Sequence, residues 1–185
     1  MIESYCITPP FLCALSPADF KTTLFKSFST HHPVRACLRA PHAHPDQLTC
    51  FVELCKTFEI SSYLNLSSFS VSLNQALEYG FFGVHAKGDA LQELSSIPPT
   101  LSSFYSAHST LEVQQALELG ASFCTLSPIF STPNKPPPLG LEYLDQLTLL
   151  EKDHVFGLGG IVEIEQVKLI ASKGLRGFAS VRYFL

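Results

Sequence analysis

No apolar run in this chain reaches the roughly 18 residues that a helix needs to span a bilayer, so no membrane segment is expected. No basic stretch precedes the first apolar residues in Met1-Ile-Glu-Ser-Tyr-Cys6. A secretory signal is not read there, and a cytoplasmic protein is expected. No two cysteines form a CxxC pair. Cys6, Cys13, Cys37, Cys50, Cys55 and Cys124 lack metal-ligand spacing, which argues against zinc. Without an export signal they read as reduced thiols. Charge is scarce as well: 15% of residues are charged and the net charge is −4. That balance gives no electrostatic case for nucleic acid or for an anionic membrane surface.

What the chain does have is apolar residues, at 46% of 185. This is a single-domain length with enough material for a sizeable core. Short apolar runs alternate with amphipathic stretches. Strands are expected at Tyr5–Ile7, Val34–Arg39, Ser62–Leu66, Phe81–His85, Leu101–Ala107, Phe123–Ser127, Val155–Leu158 and Gly177–Val181. Helices are expected from Ser16 to about Phe28, from Pro45, from Ser72 to Tyr79, from Asp89 to Leu94, from the Ser109-Thr-Leu-Glu112 capping box, from Leu141 to Leu150, and from Ile164 to Ser172. Glycines at 80, 120 and 174 stand where helices should stop.

Eight strands with helices between them, repeating about every 25 residues, predict a compact α/β (β/α)8 TIM barrel over residues 1–185. An open doubly wound sheet is the second choice. The last helix is missing or minimal. Its loss should leave apolar barrel surface near Tyr183-Phe-Leu185, which a homo-oligomer could cover.

A barrel of this kind carries its site where strands end. Arg39 follows the second strand, Asn65 ends the third, and His85 and Lys87 follow the fourth. Ser106 and His108 close the fifth. Gly159-Gly160 follow the seventh, Val181 and Arg182 the eighth. The sixth strand runs into Ser127-Pro-Ile-Phe-Ser-Thr-Pro-Asn-Lys135 and then Pro136-Pro-Pro, which can be neither helix nor central strand. Thr132, Asn134 and Lys135 put two small polar groups and a cation at i, i+2 and i+3, a set suited to phosphate oxygens. The glycine pair suits a phosphate cradle of backbone N–H groups.

Five stretches resemble one family in order: Gly83-Val-His85, Ser106-Ala-His-Ser109, Ser127 to Lys135, Leu139-Gly-Leu-Glu142 and Gly157-Leu-Gly-Gly-Ile161. Together they look like the thiamine-phosphate synthase and TenI family of TIM barrels, over roughly residues 34 to 184. The resemblance implies a small phosphorylated heterocycle as ligand. Thr132, Lys135, Gly159 and Gly160 match the family's phosphate-binding positions, and Asn134 replaces a threonine. Arg182 stands where serine is frequent, either contacting phosphate or blocking the pocket. His108 matches the proton-transfer histidine of the TenI-type thiazole tautomerase.

The synthase branch joins a pyrimidine diphosphate to a thiazole phosphate and holds magnesium with two aspartates. Leu66 and Ala90 stand at those positions, with Asp89 one residue off. An Arg-x-Lys that binds diphosphate is Arg39-Ala-Pro41 here. The leading expectation is therefore a TenI-type thiazole tautomerase with His108 as proton shuttle and no metal or other cofactor. The alternatives are a divergent thiamine-phosphate synthase, which would need Mg²⁺, and a non-catalytic protein binding thiamine or its phosphate precursors.

Overall fold

The computed structural model describes residues 2–133 and 135–184; Met1, Asn134 and Leu185 lie outside the described residues. Among the described residues eight strands form: β1 (Glu3–Ile7), β2 (Arg35–Arg39), β3 (Ser61–Asn65), β4 (Gly83–Ala86), β5 (Ser102–Ala107), β6 (Phe123–Leu126), β7 (Val155–Leu158) and β8 (Gly177–Ser180). Each pairs in parallel with the next, and β8 pairs with β1 through Glu3–Gly177 to Cys6–Ser180, closing the barrel. The fold is a (β/α)8 TIM barrel, and closure excludes the open sheet.

Among the described residues six α-helices cover it: α1 (Pro17–His31), α2 (Pro45–Thr57), α3 (Phe69–Tyr79), α4 (Thr110–Glu118), α5 (Leu149–Lys152) and α6 (Ile164–Ser172). α1 is opened by the Ser16 side chain, which accepts from the Asp19 N–H, and outruns its expected end at Phe28 by three residues. α3 starts three residues before Ser72. Ser68 is its cap, and the Ser72 hydroxyl donates back to the Ser68 carbonyl at 2.8 Å. The segment after β4 is two 3-10 turns, Gly88–Ala90 and Gln92–Ser96. There Ser95 and Ser96 hydroxyls bond the carbonyls of Gln92 and Glu93, offering the backbone an alternative to an α-turn. The stretch expected as one helix from Leu141 to Leu150 is a 3-10 turn, Leu141–Gln146, followed by α5. Thr148 breaks it by capping the new helix reciprocally with Glu151.

The barrel interior is aromatic. Tyr5, Tyr63, Phe104 and Phe156 fill it with Ile7, Cys37 and Ala179. Tyr5 stacks on Phe104 at 4.2 Å between centroids. Gly177 makes room for the Phe156 ring, which a Cβ there would strike. At the strands' N-terminal end, Glu3 pairs with Arg35 at 2.7 Å and Arg176 at 2.6 Å, and the Arg35 guanidinium lies 4.5 Å over the Phe123 ring. A larger apolar layer joins barrel and helices. Cys6, Cys37, Cys55 and Cys124 are buried free thiols, and burial pushes Cys6, Cys37 and Cys124 up to about 12, so they stay protonated. Among the described residues no helix is long and apolar enough to cross a membrane.

The last helix is reduced to a 3-10 turn, Arg182–Phe184. The apolar surface expected there is not left open. Phe184 is 1% exposed and stacks on Phe178, Tyr183 meets Phe178 edge-on, and His31 packs against both. The Ser27 hydroxyl fixes the turn by donating to the Phe184 carbonyl at 2.7 Å. Among the described residues, aromatic side chains thus cover the end of β8 where a helix is not expected.

Candidate active site at the barrel rim

Because the strands are parallel, their C-terminal ends share one rim. An open pocket of about 600 Å³ lies on it. Arg39, Lys87, Ser106 and His108 line one side. Thr132, Lys135, Gly159, Gly160, Val181 and Arg182 line the other. Asn65 and His85 are buried and line a smaller pocket of about 140 Å³ beside it, with Lys87 common to both. The Asn134 expectation falls outside the described residues.

The charge around the larger pocket is one-sided. Arg39, Lys87, Lys135 and Arg182 line it, and among the described residues no Asp or Glu does. Among the described residues none of these four cations forms an ion pair. The Arg39 Nε is buried without a hydrogen-bond partner. In a chain of net charge −4, this concentration makes the rim locally positive.

The wall that carries Thr132 and Lys135 is held from below. Phe130 N–H donates to the Gly159 carbonyl at 3.0 Å and Ile129 N–H to Leu158 at 2.9 Å. After the proline run, Leu139 N–H returns to the Pro128 carbonyl at 2.8 Å and Gly140 N–H to Ile129 at 3.2 Å. The loop therefore closes on its own stem. Gly159 and Gly160 both have positive φ, 100° and 71°. A Cβ on Gly160 would lie 2.6 Å from the Ser131 carbonyl oxygen and 2.7 Å from the Phe130 Cβ. The turn after the glycines is fixed by Gln166 of α6, whose amide donates to the Gly160 carbonyl at 2.7 Å and accepts from Val162 N–H at 2.6 Å. Gly160→Ala should therefore cost about 1–3 kcal/mol of strain, lowering the melting temperature by roughly 2–10 °C for a domain this size. It should also weaken phosphate binding. Calorimetry on the variant checks this, and an unchanged melting temperature would show that the turn is not constrained.

His108 is exposed but not free. Its backbone N–H donates to the Glu112 carboxylate at 2.9 Å. Ser109 caps α4, accepting from Glu112 N–H at 3.1 Å. The expected reciprocal box is thus displaced by one residue, with Glu112 reaching His108 instead of Ser109. The His108 ring places Nδ1 2.9 Å from the Ser127 carbonyl oxygen. A carbonyl only accepts, so Nδ1 carries the hydrogen. In the neutral ring Nε2 is then the free lone pair.

His85 differs in every respect. It is buried, with Nδ1 2.9 Å from the Tyr5 hydroxyl and Nε2 2.8 Å from the Ser106 hydroxyl. Burial, with Arg39 adding to it, lowers its pKa to about 3, so the ring stays neutral.

The fold and site define a (β/α)8 barrel whose C-terminal rim carries a cation-lined pocket with no acidic residue among its described lining. A family model described as "Thiamine monophosphate synthase" matches residues 53–184. The chain belongs to that family. It is 39% identical over 83 residues to a protein named "Putative thiamine-phosphate synthase 2" from Aquifex aeolicus, a match covering 44% of each chain. It is 37% identical over 73 residues to a thiamine-phosphate synthase from Syntrophomonas wolfei, covering 38% of this chain and 34% of that one. The matches thus span less than half the length of these relatives. A solved thiamine phosphate pyrophosphorylase from Pyrococcus furiosus superposes with a TM-score of 0.74 at 17% identity, covering 97% of this chain and 85% of that one. That similarity reports the fold.

The residues present do not fit a magnesium ion. Leu66 is 2% exposed and packs into the core, and Ala90 is 4% exposed. Asp89 and Glu93, the carboxylates lining the small pocket, are solvent-facing. Lys87 Nζ already donates to the Ser67 carbonyl there at 3.2 Å. Among the described residues no three His, Cys, Asp or Glu side chains come together to hold a metal ion. A hard cation needs oxygen ligands that these positions lack.

Sequence reasoning passed over the site roles of Tyr5, the Ser127 carbonyl and Gln166, and read Glu112 only as the partner of Ser109 in a capping box. The period-two alternation of β1 would place Tyr5 on the inside with Ile7. The His108–Ser127 contact joins segments 19 residues apart and carries no local pattern, whereas Glu112 and Gln166 reach back only four to six residues at their helix starts, a spacing that capping rules could have shown.

Proposed function

We propose that the protein is a TenI-type thiazole tautomerase that binds a thiazole phosphate and moves one proton with His108. What carries the reading is the His108 ring, held at the pocket wall with Nδ1–H committed to Ser127 and Nε2 left as a base. The phosphate rests against Thr132, Lys135, Gly159 and Gly160, with Arg182 adding a planar cation. A pocket of about 600 Å³ is the size of a small-ligand site. In the reaction the Nε2 lone pair takes a proton from a ring carbon. The electrons left in the C–H bond shift into the ring, and the same proton returns to the ring nitrogen. A C–H bond is exchanged for an N–H bond, with no net oxidation and no metal required.

The test is deuterium uptake by thiazole phosphate in heavy water, followed by mass spectrometry with and without the protein. Catalysed uptake supports the reading, and uptake at the buffer rate refutes it. A binding measurement accompanies it. Inorganic phosphate should bind in the presence of a chelator, and its affinity should fall as salt is raised, because the cations are at the surface. A protein that binds phosphate only with Mg²⁺ would contradict the cradle.

A further inference from the structure

We infer that Tyr5 and His85 form a buried positioning pair that commits the Ser106 hydroxyl to donating a hydrogen bond into the pocket, so that the ligand must present an acceptor there. The inference rests on the reading of the pocket as a site for a phosphorylated heterocycle. It deepens that reading by naming what the ring must carry.

The chain of contacts runs from inside the barrel to the rim. The Tyr5 hydroxyl is 2.9 Å from His85 Nδ1, and His85 Nε2 is 2.8 Å from Ser106 Oγ. Ser106 lines the pocket with His108. Tyr5 is 0% exposed, so its hydroxyl hydrogen has no water to meet. Burial raises its pKa well above the ordinary value, so that hydrogen stays in place. The Cys37 thiol is also beside it, but sulfur is a weak acceptor. The imidazole lone pair is the better partner.

The hydrogen positions then follow one from another. Tyr5 O–H donates to Nδ1, so Nδ1 carries no hydrogen. The ring is neutral, so Nε2 carries one. Nε2–H donates to the Ser106 oxygen, and the Ser106 hydrogen is left for another acceptor. The reverse arrangement would put a hydrogen on Nδ1 and turn the Tyr5 hydroxyl hydrogen away from its lone-pair partner in a dry interior, which is penalised. Ser106 is therefore a dedicated donor, on the same wall as the His108 base. Its complement is a carboxylate oxygen or an unprotonated ring nitrogen on the ligand.

Nitrogen NMR of the ligand-free protein, labelled on its histidines, tests the pair directly. The His85 signals, assigned through a His85→Gln variant, should show Nε2 protonated and Nδ1 bare from pH 5 to 8. Nδ1 protonated with Nε2 bare would overturn the inference. Thiazole phosphate titrations supply the second readout. Ser106→Ala should weaken binding roughly three- to tenfold, the usual worth of one hydrogen bond, and Ser106→Thr should restore it. Affinity for inorganic phosphate should fall less than affinity for thiazole phosphate in Ser106→Ala, because the proposed acceptor for Ser106 is on the ring. Equal affinity of Ser106→Ala and wild type for thiazole phosphate would overturn the ligand half of the claim. If the wild-type protein fails to bind thiazole phosphate, the proposed function falls, while the NMR result still decides the hydrogen-bond order.

Discussion

His108→Asn should lower the rate of thiazole proton exchange by about 10² to 10⁴, the usual worth of a positioned general base, with thiazole phosphate affinity little changed. Asparagine is the informative replacement. Its amide N–H can still donate to the Ser127 carbonyl, which His108 Nδ1 meets at 2.9 Å. What it lacks is the basic lone pair that Nε2 supplies. The backbone contact to Glu112 is also independent of the side chain. The site is exposed, so even loss of the side-chain bond should cost only about 0.5–1.5 kcal/mol. The melting temperature should therefore stay within a few degrees of wild type. Exchange and melting measured on one preparation separate the two roles. A lower exchange rate with an unchanged melting curve assigns the base. Unchanged exchange with a lower melting temperature would make His108 a structural link between the β5 and β6 loops and end its catalytic role.

The barrel was legible because its strands are local. Each is a run of four to six residues between turn formers, and β7 and α6 begin and end where period and capping place them. The rim residues followed from strand ends alone: of those named from sequence, Arg39, Lys87, Ser106, His108, Thr132, Lys135, Gly159, Gly160, Val181 and Arg182 line one pocket. What failed was competition among local signals. Thr148 and Glu151 start a fresh helix inside a stretch whose apolar spacing reads as one. The C-terminal aromatics look like an uncovered patch until the turn folds back onto Phe178 of β8 and His31 at the end of α1 packs against it. Asn65 and His85 stand at strand ends like the others, but their side chains sink below the rim. His85 does so because Tyr5 and Ser106 take both its nitrogens. No spacing rule ties residue 5 to residue 85.

Thiamine-phosphate formation from pyrimidine diphosphate and thiazole phosphate should be absent, or at least a thousandfold below that of a metal-competent enzyme. That reaction expels pyrophosphate, whose developing charge must be met by cations. At the positions that the family resemblance assigns to the metal-holding aspartates this chain carries Leu66 and Ala90, and where the resemblance implies a lysine after Arg39 it carries Pro41. Lys87 supplies one charge, yet its ammonium is engaged with the Ser67 carbonyl. One lysine against a lost divalent ion and a lost lysine leaves a deficit of several kcal/mol at the leaving group, where each 1.36 kcal/mol is tenfold in rate. Simple reversion should not repair it. Leu66 packs into the core at 2% exposure, so Leu66→Asp would bury a carboxylate among apolar side chains and destabilise the barrel before it could bind a metal. The check is an assay with both substrates across a magnesium titration, on the wild type and on Leu66→Asp with Ala90→Asp. Robust magnesium-dependent product from the wild type would restore the synthase reading and displace the tautomerase.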